Sequence, residues 1–295
     1  MLSRGYGRRG ARRAPALVVS AGDGEGPRVA VEGAGDEPYL LARSDPRLAV
    51  VVAGDRHRGG LHALEQLGAV DLFVLDDGFS HVALHRDLDL LAFPWHDPLG
   101  GGRLLPTGRL REPLAAAAAA DAAVLTSAPL GEGEAQERGL EERLAAPLRH
   151  VGVQIPTFTS GLRVELATDP GDSPNSRDPG DPLDREPGGG FVLVTGVAAG
   201  GRVRASAEAL GLEIHEHLEF ADHHAYPAAS LRRIVAACRR RRSPVLTTDK
   251  DAVKLAEPLR SRGLAVHRLT SRATPSRQLL EWLDRRVAQI EAAPG

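Results

Sequence analysis

Short apolar runs alternate along the chain with longer stretches in which apolar residues recur at helical spacing. Runs of this length are typical of buried parallel strands, and their alternation with helices predicts a doubly wound α/β fold. The predicted strands are Ala16–Ser20, Leu48–Ala53, Asp71–Leu75, Leu88–Phe93, Ala122–Thr126, Phe191–Gly196 and Pro244–Thr248. The predicted helices are Asp36–Arg43, Arg58–Leu67, Arg111–Ala120, Gly201–Leu210, Ser230–Arg240 and Ser276–Glu291.

The pattern stops at residues 169–190, which are rich in Pro, Gly, Asp and Ser and have few apolar residues to bury. Such a composition indicates a linker or a long surface loop. We therefore expect a first lobe at residues 1–168 and a smaller second α/β lobe at residues 191–275, with a small-molecule site between them. Residues 276–295 carry an amphipathic helix, which we expect to pack back on the first lobe.

Composition narrows the class of protein. Of the 295 residues, 42% are hydrophobic, so the chain has enough apolar side chains for a core and global disorder is excluded. The net charge of −2 gives no reason to expect nucleic acid as a partner. The single cysteine, Cys238, forms no internal disulfide, and no apolar run approaches the ~20 residues of a membrane span. These features favour a cytoplasmic protein.

Lysine is scarce, because arginine supplies nearly all the positive charge and the only lysines are Lys250 and Lys254. A Walker A loop, G-x-x-x-x-G-K-[S/T], requires a lysine that reaches the nucleotide phosphates. Neither lysine follows a glycine-rich loop. The 295 residues therefore contain no Walker A loop.

Two adjacent carboxylates, Asp76 and Asp77, end a predicted strand in the run FVLDDGFSH. Ligands of open α/β sheets bind at the carboxyl ends of strands, and acids there can hold Mg²⁺ beside a phosphate, as in a Walker B element. The alternative is an ordinary Asp-Gly turn with a helix-capping Asp.

Two further motifs combine acids and histidines. Asp36, in GDEP, opens a predicted helix, where it is either functional or simply a first-turn acid. ADHHAY, residues 221–226, places an acid beside His223 and His224. A carboxylate beside an imidazole orients a general base, although a surface histidine pair has the same sequence.

The fourth motif is the loop LGGGRLLPTGRLREP, residues 99–113. Its arginines, Arg103, Arg109 and Arg111, suit a phosphorylated or anionic substrate. The alternative is a plain connection between sheet elements.

Taken in order, SRGYG, GDEP, DDGFSH, GGGRLLPTGRLREP, ADHHAY and TTDKDAVKL resemble the motifs of the tetraacyldisaccharide 4′-kinases of lipid A biosynthesis. The resemblance covers about residues 2–255. It implies a P-loop NTPase-like fold with a second lobe, and a kinase that uses ATP and Mg²⁺. The implied substrate is an acylated glucosamine disaccharide 1-phosphate, which is phosphorylated at its 4′-hydroxyl to give lipid IVA. The implied location is peripheral, at the cytoplasmic face of the inner membrane.

The resemblance also assigns residues. Asp36 matches the family's catalytic acid and His223 the histidine that pairs with it, while Asp76 and Asp77 match the acids that organise Mg²⁺. The remaining matches, expected near phosphate or substrate, are Ser3, Arg4, Tyr6, His81, Arg103, Arg109 and Arg111.

The sequence departs from the family pattern at Ser80, Gly101, Arg109 and Asp249, where Gln, Asn, Pro and Glu are usual. Family members also carry a first strand and a Walker A loop before SRGYG, which here begins at Ser3. Because those parts supply much of the positioning in phosphoryl transfer, we expect little or no kinase activity from this polypeptide alone. The alternatives are a degenerate paralogue that binds lipid or nucleotide, and an ATP-independent hydrolase.

Overall fold

The computed structural model describes residues 1–5, 8, 15–129, 134–168 and 189–292. Within these ranges the chain divides into two compact units. Unit 1 comprises residues 1–77 and 164–270, and unit 2 comprises residues 78–163 and 271–295. Most of the predicted loop at residues 169–190 lies outside the described residues.

Unit 1 begins with a small three-stranded sheet in the order β1-β3-β2. Strand β1 (Leu2–Ser3) pairs in parallel with β3 (Ala49–Val52), and β2 (Leu17–Ala21) pairs antiparallel with β3. Helices α1 (Val31–Ala34) and α2 (Asp36–Ser44) lie between β2 and β3 in the sequence, and α3 (Arg56–Leu67) follows β3. Val19, Val50 and Val52 are fully buried in the core beneath this sheet.

The second half of unit 1 is a parallel arrangement in the order β8-β7-β9-β10. Its strands are β7 (Phe191–Thr195), β8 (Ile214–Glu219), β9 (Val245–Thr248) and the first part of β10 (Val266–Pro275). Its helices are α5 (Gly200–Ala209), α6 (Ala228–Arg241) and α7 (Asp249–Arg260). Helix α7 also packs against α2, which joins the two halves of the unit.

Unit 2 is built on the parallel strands β4 (Leu90–Pro94), β5 (Ala122–Ala128) and the first part of β6 (Thr157–Thr168). Helix α4 (Glu134–His150) lies between β5 and β6 in the sequence. The amphipathic α8 (Arg277–Glu291) buries Leu279 against Ala122, Val124 and Phe158.

The α/β class predicted from the apolar runs is confirmed, but three elements differ from expectation. The run Ala16–Ser20 contains a strand that is antiparallel, because an apolar run does not encode strand direction. Residues 71–75 make only an isolated bridge, between Leu75 and Leu2. Residues 111–120 form a short 3₁₀ helix, Leu114–Ala119, instead of an α-helix. A segment this short, bounded by Pro113, has little to offset the cost of α-helix nucleation.

The division into units also differs from the predicted boundaries, since residues 1–77 group with residues 164–270. The physical reason is packing rather than chain order. Val164 and Leu166 of β6 pack against Phe191 and Leu193, on the far side of the Pro- and Gly-rich segment. That segment marks a change in composition, whereas the units follow the pairing of strands.

Candidate active site

The carboxylate of Asp36 is buried at the start of α2. Gly35, just before it, has φ of +89°, a conformation that glycine adopts without strain. Asp36 is the first residue of the helix and is only 6% exposed. A negative charge in the first turn is favoured by the unpaired N–H groups and the helix dipole.

The loop after β8 brings His223 to this carboxylate. Its backbone N–H donates to the carbonyl of Gly196, at 3.1 Å, and its φ is +58°. The imidazole Nδ1 then lies 3.0 Å from Asp36 Oδ2. The two residues that the sequence analysis paired are therefore in hydrogen-bond contact within unit 1.

Helix α7 adds two lysines that the sequence analysis did not assign to the site. Lys254 Nζ donates to Asp36 Oδ2 at 2.6 Å, so this oxygen is shared with His223. Lys250 Nζ lies 3.2 Å from His223 Nε2 and 3.0 Å from Asp222 Oδ1. A signal was present, because the chain's only lysines stand four residues apart, on one helix face, inside TTDKDAVKL.

Asp251, also on α7, braces the loop that carries His223. It is 2% exposed and accepts hydrogen bonds from Gly196 N (2.9 Å), Thr248 Oγ1 (2.9 Å) and Tyr226 Oη (2.8 Å). Burial first, and then the adjacent Asp251 carboxylate, raise the pKa of Tyr226, so its hydroxyl stays protonated and donates. A Cβ on Gly196 would lie 2.5 Å from Tyr226 Oη, so this position has no room for a side chain.

The two acids proposed for Mg²⁺ follow the bridge at Leu75. Ser3 Oγ donates to Asp76 Oδ2 at 2.9 Å, which links the SRGYG and DDGFSH motifs. Asp77 has φ of +50° and is exposed. The described residues contain no group of three or more His, Cys, Asp or Glu side chains that could hold a metal ion.

A buried arginine, Arg56, donates a hydrogen bond to the backbone of this turn. Arg56 is 1% exposed and donates to the carbonyls of Asp76 (2.9 Å) and Ala53 (3.2 Å). Burial lowers the pKa of Arg56 and the nearby charge of Arg4 adds to this effect, while Asp76 and Asp77 oppose it. Arg4 itself is exposed, and Tyr6 lies outside the described residues.

The other predicted site residues belong to unit 2. His81 is half-buried, and its backbone carbonyl accepts a hydrogen bond from Arg86 at 2.8 Å. Arg103, Arg109 and Arg111 are all exposed, and Arg109 forms an ion pair with Asp97. The structure thus places these four residues in unit 2, and Asp36, His223, Asp76 and Asp77 in unit 1.

Among the described residues, no helix is both long enough and apolar enough to cross a membrane.

Known proteins are similar to this chain in sequence and in fold. A family model described as tetraacyldisaccharide-1-P 4′-kinase matches residues 1–288. A tetraacyldisaccharide 4′-kinase from Syntrophotalea carbinolica is 37% identical over 257 residues, which cover 87% of this chain and 64% of that protein. A kinase of the same name from Geobacter metallireducens is 35% identical over 265 residues, which cover 90% of this chain and 71% of that protein. This chain therefore spans about two thirds of the length of the curated relatives it matches.

The fold agrees with the sequence relationship. A crystal structure of the "apo" form of LpxK from Aquifex aeolicus in complex with ATP matches with a TM-score of 0.65 and 31% identity. The match covers 98% of this chain and 78% of that one. It confirms the predicted P-loop NTPase-like α/β fold class.

Proposed function

Because the chain belongs to the tetraacyldisaccharide-1-P 4′-kinase family, we propose that it takes part in the ATP-dependent phosphorylation of a tetraacylated glucosamine disaccharide 1-phosphate at the 4′-hydroxyl. The observation that carries the proposal is the pairing of His223 Nδ1 with Asp36 Oδ2 at 3.0 Å, in a buried position. The product is lipid IVA, the precursor of lipid A. The proposal refers to the activity of a protein of the relatives' full length, of which this chain covers about two thirds.

In this proposal Asp36 accepts the proton of the attacking sugar hydroxyl, and His223 orients the carboxylate through its Nδ1–H. The hydrogen bonds that Asp36 receives from described side chains, from His223 and Lys254, both go to Oδ2. In this proposal Oδ1 is the oxygen that accepts the proton of the incoming hydroxyl. Burial excludes water from the carboxylate, which strengthens every charge interaction in the site.

Mg²⁺ fits the chemistry of Asp76 and Asp77. Mg²⁺ in kinase sites is held by one or two carboxylates, with waters and substrate phosphates completing the coordination. The hydroxyl of Ser3 and the Asp76 carboxylate supply oxygen ligands, and the Arg56 hydrogen bond fixes the turn that carries Asp76. When bound, Mg²⁺ neutralises the charge on the phosphoryl group being transferred.

The exposed cations serve the anionic parts of ATP and substrate in this proposal. Arg4 lies close enough to Arg56 to affect its pKa, as Asp76 and Asp77 do, and is suited to a nucleotide phosphate. In unit 2, Arg103, Arg109 and Arg111, with His81, contact the phosphate or sugar of the disaccharide. The acyl chains of the substrate require peripheral association with the cytoplasmic face of the inner membrane.

The test uses protein expressed from the complete reading frame, including any codons upstream of Met1. Transfer of labelled phosphate from ATP to the tetraacylated disaccharide is measured for Asp36→Asn and His223→Gln. We expect each change to lower kcat by about 10²–10⁴-fold, the usual contribution of a general base. Asp45→Asn alters an exposed surface pair with Arg47 and is the control, with unchanged turnover.

Other outcomes lead to different conclusions. Near wild-type turnover in either dyad variant would refute the role given to that residue. ATP binding without phosphate transfer by the complete product would favour a degenerate binding paralogue, and hydrolysis without ATP would favour a hydrolase. The 295 residues alone are expected to transfer little or no phosphate, since they contain no Walker A lysine. An upstream in-frame G-x-x-x-x-G-K-[S/T] would supply it.

A further inference from the structure

His223 has neighbours on both ring nitrogens, and their chemistry restricts where its proton can lie. Nδ1 faces Asp36 Oδ2 at 3.0 Å. Nε2 faces Lys250 Nζ at 3.2 Å and Asp222 Oδ2 at 3.8 Å. A neutral imidazole carries one N–H donor and one acceptor nitrogen, and the neighbours decide which is which.

A lysine ammonium has three donors and no acceptor. The contact from Lys250 Nζ therefore requires Nε2 to be the unprotonated, accepting nitrogen. The proton is then on Nδ1, from which it is donated to Asp36 Oδ2. This is the tautomer that points the N–H of His223 at the carboxylate.

Without Lys250, Asp222 would favour a proton on Nε2, in addition to the proton that Asp36 favours on Nδ1. A carboxylate only accepts hydrogen bonds, so its approach to Nε2 favours a proton there. Lys250 Nζ donates to Asp222 Oδ1 at 3.0 Å and to Nε2 at 3.2 Å, whereas the Asp222 oxygen closest to Nε2 stays at 3.8 Å, beyond hydrogen-bond distance. Lys250 thus holds the Asp222 carboxylate in a hydrogen bond, and this carboxylate does not reach hydrogen-bond distance of the imidazole.

We propose that Lys250 is a positioning residue that selects the Nδ1–H tautomer of His223, by donating to Nε2 and by engaging Asp222. Its value for catalysis rests on the proposed function. The tautomer itself does not, because it follows from contacts that are present without ATP or substrate.

The experiment is ¹⁵N NMR of the full chain with ¹⁵N-labelled histidine. Long-range ¹H–¹⁵N correlations distinguish protonated from unprotonated ring nitrogens, and the His223 signals are assigned by their loss in His223→Gln. In the wild-type chain we expect Nδ1 to be protonated and Nε2 unprotonated. In Lys250→Met we expect Nε2 to move into the protonated range while Nδ1, which still faces Asp36 Oδ2, stays protonated. In Lys250→Arg, which keeps a donor, Nε2 should return to the unprotonated range.

A matched control is available on the same helix. Lys254 Nζ donates to Asp36 Oδ2, on the Nδ1 side of His223, so Lys254→Met should leave Nε2 unprotonated. The double variant Lys250→Met/Asp222→Asn removes the competing carboxylate and should restore the wild-type pattern. It also provides a second measurement if the single variant folds poorly. Protonated Nε2 in the wild-type chain, or an unchanged pattern in folded Lys250→Met, would overturn the proposal.

Kinase assays on the complete gene product separate this inference from the proposed function. If both hold, Lys250→Met lowers kcat while KM for ATP changes little, and Lys250→Arg restores part of the loss. If Asp36 and His223 variants retain wild-type turnover while the NMR result stands, then the proposed function fails and the tautomer assignment survives.

Discussion

Replacing Asp251 by alanine should strongly destabilise unit 1. The change removes a 2%-exposed carboxylate and leaves donors on Gly196, Thr248 and Tyr226 without their acceptor. The Thr248 hydroxyl can turn elsewhere, but the Gly196 N–H and the buried Tyr226 hydroxyl cannot. An unsatisfied buried donor costs about 1–3 kcal/mol and two such donors remain, so we expect a loss of about 3–5 kcal/mol in the free energy of unfolding.

Asp251→Asn separates lost hydrogen bonds from lost charge. An asparagine oxygen placed where Oδ2 lies still accepts from Gly196 N and Thr248 Oγ1. Its amide group then donates to Tyr226, whose hydroxyl can accept as well as donate. We therefore expect a smaller loss, of about 1–2 kcal/mol. Glu257→Ala, an exposed acid on the same helix, is the control and should change stability by less than about 0.5 kcal/mol.

Cys238 provides an assay specific to unit 1. It is the only cysteine, is fully buried, and shares a core cluster with Tyr226 and Leu255. Burial raises the pKa of its thiol to about 12, so labelling by a thiol reagent requires opening of that core. Where opening and closing are fast relative to labelling, the rate follows the free energy of opening. The two tryptophans, Trp95 and Trp282, lie in unit 2 and serve as an independent probe.

The labelling rates of Cys238 test whether Asp251 stabilises unit 1 through its hydrogen bonds. At 1.4 kcal/mol per factor of ten, Asp251→Ala should accelerate labelling of Cys238 by roughly 10²–10³-fold or more, and Asp251→Asn by roughly 5–30-fold. Acceleration below about fivefold for the alanine variant would refute the inference that this carboxylate braces the loop. Equal rates in the two variants would show that the charge alone, not the hydrogen bonding, matters.

Three further substitutions have expected outcomes. Tyr226→Phe removes one donor to Asp251 and should cost about 1–2 kcal/mol, measured by labelling of Cys238. Arg56→Met removes both hydrogen bonds to backbone carbonyls and should cost about 2–4 kcal/mol in the same assay; a cost below that range would show that Arg56 does not support the Asp76 turn. Burial lowers the pKa of His217 below its unfolded value of about 6.5, so the unfolded chain binds the proton first and stability falls as pH drops through 6.5. His217→Gln should therefore lose less stability than the wild type between pH 7.5 and pH 5.5 in urea titrations, and an equal loss would contradict this.

Local patterns predicted much of the secondary structure. The apolar runs predicted β3, β7 and β9, because strands buried on both faces give continuous apolar runs. The amphipathic spacing of residues 276–291 predicted α8, because a helix buried on one face repeats its apolar residues at helical spacing. Strand β8 was missed, since its sequence IHEHLE contains more polar than apolar residues. Its burial depends on pairing with β7, which no local pattern records.

The candidate site also depends on contacts that local sequence patterns do not predict. Family resemblance identified Asp36 and His223, but nothing local predicted that Lys254 would share an oxygen of Asp36 with the imidazole. Nor did the pattern indicate that Asp251 is buried, because acids in a first helical turn are usually exposed. These contacts come from the packing of α7 against α2, so they are properties of the folded unit.

The distance along the chain between Asp36 and its partners also has a consequence for synthesis. His223 follows Asp36 by 187 residues and Lys254 by 218. At about 5–20 residues per second on the ribosome, the acid is made roughly ten to forty seconds before the imidazole. Helix α2 and the small sheet around it are therefore synthesised before His223 and Lys254 exist. The Asp36 carboxylate cannot form its contacts with these two residues until the last part of unit 1 has left the ribosome. The Asp36–His223 contact therefore forms late in the synthesis of the chain, when nearly all of unit 1 has been made.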